Sequence, residues 1–352
     1  ETIQYITEQA LFKAVKDNNA KAGTVIVMDV VTGEILALAN YPSYDLDDVA
    51  KSEIASRTNR AVSFVYEPGS VFKIVTASAA LEEETFKEDD RIFCENGEYR
   101  IANHILHDHK PHGDLSFKEV FQYSSNIGVA KIAQRLGPDT IYRYAQRFRF
   151  GMKTGINLKG EVSGLLKPTS QWSKTSIGAI PIGHEITTTP LQMVSALAAL
   201  ANDGLYMKPF VVKYIKDQHG ELIREFTPTV VDRVISVDTA RRTKEILKTV
   251  VEAGTGQRAQ IEGVAVGGKT GTAQKIENGT YSHSSYYATF IGFAPVDAPR
   301  LAAIVVFDEP RPRYFGGTVS APVFKEVVEK SLKYLDNIRS TEYVSNSRQL
   351  NH

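Results

Sequence analysis

The chain has 352 residues and one cysteine, Cys94, so no disulfide can form within it. A solitary thiol suits the cytoplasm, and equally an exterior bacterial protein that avoids thiols. Neither charge sign is in excess. The 41 Lys and Arg offset 41 Asp and Glu, which gives no electrostatic reason to expect nucleic acid or an anionic membrane surface as partner. No apolar run is long enough to span a bilayer, and no signal-peptide pattern opens the chain, which starts at Glu1. The expectation is a processed chain or a piece of a longer one, with any anchor outside it. Tryptophan occurs once, and Trp172 reads as structural. No internal repeat is visible.

What remains is 42% hydrophobic, enough for the core of one large domain or two smaller ones. Residues 1–22 have helical spacing and read as a lead-in helix or linker remnant. In "GTVIVMDVVTGEILALANY", two β-rich runs, Val25–Val31 and Ile35–Ala39, flank Thr32-Gly33 as a hairpin. A helix opens beside Pro68-Gly69 and reaches about Glu83. Apolar residues nearly encircle it, which predicts burial. Residues 84–113 read as a polar insertion. "LSFKEVFQYSSNIGVAKIAQRLG" is helical, with a break near Ser124–Asn126, and helices follow at 138–150 and 190–203. "VDTARRTKEILKTVVEAG" is an amphipathic helix capped by Gly254. Three strand-like runs come next, "GVAVGGKTGTAQK", "YYATFIGFAP" and "RLAAIVVFDEP", the first two joined by "ENGT". The helix "APVFKEVVEKSLKYL" and a polar tail, 337–352, close the chain. The expected fold class is α+β: one antiparallel sheet of about five strands, built from both ends of the sequence, flanked by helices and interrupted by a large helical block.

Ser70 stands at the start of the expected buried helix, and Lys73 lies one turn later on the same face. Helix N-termini offer unpaired N–H groups to developing negative charge. Serine is a poor nucleophile until a base takes its proton, and a lysine in an apolar pocket can be that base. A capping serine and a surface lysine would spell the same motif. Ser124 and Asn126 form Ser-x-Asn at the expected helix break. There a serine can relay a proton and an asparagine can hold a substrate amide, or the pair can simply cap a helix. Lys-Thr-Gly occurs twice. Lys153-Thr154-Gly155 lies in a loop-like run, whereas Lys269-Thr270-Gly271 lies in a strand whose glycines allow close approach. The second copy is the expected working one. Its strand can hold an extended peptide, Lys269, Thr270 and Thr272 can bind a carboxylate, and the N–H groups of Ser70 and Thr272 can form an oxyanion hole.

These triplets occur in the order Ser70, Ser124, Lys269. Together with "NRAVSFVYEPGSVFKIVTASAALE", "SSNIGVAKIA", "TTTPLQMVSALAALANDG", "FIGFAP" and "YFGGTVSAPVF", the chain resembles a class B penicillin-binding protein over about residues 23–336. "YFGGTVSAPVF" leans toward the division or sporulation branch. The resemblance implies the penicillin-binding protein and serine β-lactamase-like transpeptidase fold. It implies a D,D-transpeptidase in which Ser70 attacks a D-alanyl-D-alanine stem peptide and Lys73 acts as base. Ser124 with Lys269 returns the proton, and Asn126, Thr270, Gly271 and Thr272 position the donor. An amine acceptor then forms the cross-link, while β-lactams remain on Ser70. It further implies no cofactor, no metal, a location at the extracytoplasmic face of a bacterial inner membrane, and partnership with a membrane glycosyltransferase and division proteins. Such proteins also carry a membrane anchor and a pedestal domain, which are expected to lie outside this sequence. "SIGAIPIGHEITTTP" departs from the shorter Gly-rich run expected before Thr-Pro-Leu-Gln.

A serine β-lactamase is the nearest rival, with Glu161 as its water-activating group. A non-catalytic β-lactam sensor or division scaffold is another. "HILHDHKPH" offers His104, His107, Asp108, His109 and His112 as metal ligands, but nominates no distant fourth ligand, and reads as a polar loop. Arg311 and Arg313 read as part of a solvated loop, and Cys94 as a packed thiol.

Overall fold

The β-branched run at the start of the chain forms strand β1 (Ala22–Asp29), and β2 (Ile35–Tyr41) returns beside it. The three late runs form β3 (Gly267–Glu277), β4 (Thr280–Ala294) and β5 (Leu301–Asp308). In the computed structural model, the backbone of residues 1–277 and 279–349 and the side chains as far as Ile338 are described. The five strands form the one antiparallel sheet that the sequence led us to expect, and their order is β3-β4-β5-β1-β2. Val25 faces Val305 on one side and Ala39 on the other, so the two ends of the chain meet at the sheet centre.

Strand alternation sorts the core. Val25, Val27, Val305 and Phe307 belong to one buried cluster, and Ile26, Met28, Ile304 and Val306 to another. Helices α1 (Thr2–Asp17) and α8 (Ala321–Gln349) cover the first face. Leu11, Val15, Phe324 and Val328 join that cluster, so the lead-in stretch packs onto the sheet. α8 continues past the point where the sequence pattern ends it. Of the polar tail expected at 337–352, the side chains from 339 and all of residues 350–352 lie outside the described residues.

The opposite face carries the helical block. Its members are α2 (Lys73–Glu82), α3 (Phe117–Gln122), α4 (Asn126–Leu136), α5 (Pro138–Arg147), α6 (Pro190–Ala201) and α7 (Val237–Glu252). Every residue of α6 is buried, and its start is fixed by a Thr189–Gln192 capping box with Pro190 in the first turn. α2 is buried from Lys73 to Leu81, which bears out the central helix. The polar insertion at 84–113 is less plain than expected. Arg91–Phe93 pairs with Asp114–Ser116, and Glu98–Ile101 with His104–His107. Strands of three or four residues are too short for a period of two to show.

Candidate active site

Ser70 lies on a 3₁₀ turn, Gly69–Phe72, that feeds directly into α2 at Lys73. The expected single helix thus begins with a tighter turn. Two glycines let neighbours press against it. A Cβ on Gly271 of β3 would sit 3.0 Å from Val71 and 3.2 Å from the Pro68 carbonyl. At Gly183, where φ is +85°, a Cβ would sit 2.1 Å from the Gly69 carbonyl oxygen. The Gly69 N–H donates to the Gly183 carbonyl at 3.1 Å. The serine is therefore clasped between an edge strand and the loop after residue 179.

Lys73 has no exposed surface. Its Nζ donates to the Ser124 carbonyl at 2.8 Å, the Ser124 Oγ at 3.2 Å and the Asn126 Oδ1 at 2.7 Å. Lys269, equally buried, donates to the same Ser124 Oγ at 2.8 Å and to the Thr270 carbonyl at 3.2 Å. Burial pulls the Lys73 ammonium down to about 7 against the opposing charge of Asp108. Burial, together with the positive charge of Lys73, holds Lys269 well below the usual lysine range. With both Ser124 lone pairs accepting from lysine, the hydroxyl proton is left to donate elsewhere. Such an arrangement can pass a proton in either direction. Among the described residues nothing hydrogen-bonds the Ser70 hydroxyl, and contacts of this kind often close only when substrate binds.

Ser124 owes its place to the break between α3 and α4, where it takes a left-handed φ of +62°. Ser125 caps α4 through a 2.9 Å bond from the Gly128 N–H. The Asp108 carboxylate in turn accepts from the Ser125 hydroxyl at 2.6 Å, from the Ile127 N–H at 3.0 Å and from the Asn126 N–H. Asn126 Nδ2 donates to the His107 carbonyl at 3.0 Å. On the strand side, Thr270 Oγ1 and Thr255 Oγ1 are 2.6 Å apart, and Thr272 Oγ1 accepts from the Gly316 N–H at 3.2 Å. All the expected site residues of the second Lys-Thr-Gly copy lie on β3, the outer strand of the sheet.

Residues 23–329 match the family described as penicillin binding protein transpeptidase domain. The chain belongs to this family. It is 35% identical over 95% of its length to Stage V sporulation protein D of Bacillus subtilis, and 36% identical over 93% to penicillin-binding protein PbpB of Mycolicibacterium smegmatis. It spans about half the length of these two curated relatives, 52% of each. The transpeptidase domain of Burkholderia pseudomallei penicillin-binding protein 3 superposes with a TM-score of 0.83 at 34% identity, covering 95% of this chain and 94% of that one. Mycobacterium tuberculosis penicillin-binding protein 3 complexed with aztreonam gives 0.86 at 34% identity, covering 96% and 78%.

Within this transpeptidase domain the first Lys-Thr-Gly copy is spent locally. The Thr154 N–H and hydroxyl both donate to Glu161 Oε1 at 2.6 Å, and the Gly155 N–H reaches Glu161 Oε2 at 3.3 Å. The carboxylate considered as a lactamase base is thus a loop staple. Cys94 is buried, with its thiol directed at the Ile92 carbonyl. Asp108, Thr255 and Gly183 escaped the sequence reading as parts of the site. Asp108 was weighed only as a metal ligand; its adjacency to α4 is created by the short hairpins.

Proposed function

We propose that this transpeptidase domain is a peptidoglycan D,D-transpeptidase working through an acyl-enzyme on Ser70. The carrying observation is the convergence of two buried lysines on Ser124, one of them a single turn beyond Ser70. Lys73 takes the Ser70 proton as the hydroxyl attacks the penultimate D-alanyl carbonyl. The N–H groups of Ser70 and Thr272 receive the oxyanion. Ser124, supplied by Lys269, protonates the departing D-alanine. Asn126, Thr270, Gly271 and Thr272 hold the donor, the threonines through its terminal carboxylate. An amine from a neighbouring stem then resolves the ester. β-Lactams acylate the same serine, and slow release makes them inhibitors. No cofactor enters this scheme. The reading places the domain at the extracytoplasmic face of a bacterial inner membrane, beside a membrane glycosyltransferase and division proteins. No described helix is long and apolar enough to cross a membrane.

Intact mass after incubation with benzylpenicillin tests the reading. One stable penicilloyl adduct is expected, absent from Ser70→Ala. Consumption of penicillin without an adduct would favour the β-lactamase reading, which the engagement of Glu161 speaks against. Turnover of a D-alanyl thioester separates an enzyme from a sensor that only binds.

A further inference from the structure

Three residues before Ser70 lies Glu67, a carboxylate only 7% exposed. It accepts from the Glu185 N–H at 2.9 Å and from the Tyr281 hydroxyl at 3.3 Å. Its Oε2 is 3.0 Å from His184 Nδ1, which also lies 3.1 Å from the Tyr281 oxygen. A carboxylate oxygen accepts, so Nδ1 is the donor toward Glu67, and in the neutral ring the lone pair then sits on Nε2. Among the described residues nothing hydrogen-bonds Nε2. His184 and Asn126 line one cavity of about 750 Å³, and Gly183, the residue before His184, is hydrogen-bonded to the nucleophile turn. A buried carboxylate that orients an imidazole, next in sequence to a residue bonded to the turn that carries Ser70 and in the cavity that Asn126 lines, is the arrangement of a general base.

We propose that His184, oriented by Glu67, is the general base for the acceptor amine in the second half of the reaction. The proposal rests on the acyl-enzyme reading above. The neutral amine attacks the Ser70 ester carbonyl. As the N–C bond forms, the amine N–H proton passes to His184 Nε2. The C–Oγ bond then breaks, and Ser70 Oγ takes a proton from Ser124, which Lys73 or Lys269 replenishes. Solvent removes the proton from His184 and restores the lysine. The first half-reaction, which uses Lys73 as base, needs no imidazole. Around the ring, Glu67 and Tyr281 are in contact with it and Glu185 is its neighbour in sequence. His104, His107 and His283 share the cavity.

The test separates the two half-reactions of the whole chain. Benzylpenicillin acylation reports the first. A D-alanyl thioester donor with glycine as acceptor amine, scored for transfer against hydrolysis, reports the second. In His184→Gln, acylation is expected to stay within about threefold of wild type. Aminolysis should fall about tenfold or more. Glu67→Gln should shift aminolysis in the same direction by less. Aminolysis unchanged in His184→Gln would overturn the proposal. So would acylation, aminolysis and melting temperature falling together, which would mark a structural role. An acylated wild type that transfers nothing to glycine also overturns it. A wild type that penicillin does not acylate removes the acyl-enzyme reading, and the proposal with it.

Discussion

Lys269 has no exposed surface and donates to Ser124, whereas Lys153 is exposed in a loop whose threonine is committed to Glu161. Identical triplets therefore predict opposite phenotypes. Lys269→Ala should slow benzylpenicillin acylation at least a hundredfold, and Lys153→Ala should leave it within about twofold, both followed by adduct mass against time. Burial also sets a pH dependence. A lysine whose pKa falls from 10.5 to about 7 on folding is neutral in the folded chain and charged in the unfolded chain between those values. The unfolded state then binds more protons, so the contribution of Lys73 to stability rises with pH across that window. Acylation should likewise climb through a limb near pH 7 as Lys73 becomes a base, and stopped-flow rates from pH 5.5 to 8.5 check it. The sequence displayed Ser70, Lys73, Ser124 and Lys269 because their chemistry travels in short words. Asp108 and Thr255 carry no such word. Their roles exist only once a hairpin and a helix end bring them beside α4 and β3.

At the scale of elements, the break between α3 and α4 does the positioning. Ser124 can point at both lysines because the chain stops being helical for three residues and restarts under the Ser125 cap. Asp108 holds that restart through one hydroxyl and two N–H groups. Asp108→Ala leaves these donors unpaired and is expected to cost about 1–3 kcal/mol by urea denaturation. Acylation should slow as well, since Ser124 and Asn126 flank the cap. The break was legible because Ser-Ser-Asn interrupts two apolar periodicities. The 84–113 hairpins were not, because their strands are short and half exposed, so neither burial pattern nor β-rich composition marks them. The tighter first turn at Ser70 was also hidden, since 3₁₀ and α turns draw on the same residues.

For the whole molecule, the sheet is the joint between sequence ends, and a buried charge cluster fastens it. Asp308, 5% exposed at the end of β5, accepts from Arg60 at 2.8 Å and from Lys275 of β3 at 2.8 Å. Asp308→Asn leaves the largely buried Arg60 short of its countercharge, while Lys275 keeps Glu309, and is expected to cost about 1.5–3 kcal/mol, read from the denaturation midpoint at constant slope. The five-strand assembly was legible as a whole because strands cluster at both ends of the sequence and helices between them. The order of strands was not, because nothing local states that β5 rather than β3 lies beside β1.

That closure across the chain has a meaning in time. Ser124 and Lys269 are 145 residues apart, and the ribosome makes them in that order. At about 5–20 residues per second, Ser124 waits roughly 7–30 seconds for the strand that brings Lys269 to it. On the proposed acyl-enzyme reading, a growing chain carries its serine early and its reactivity late: it is born inert, and becomes an acylation target only after its last strands have docked.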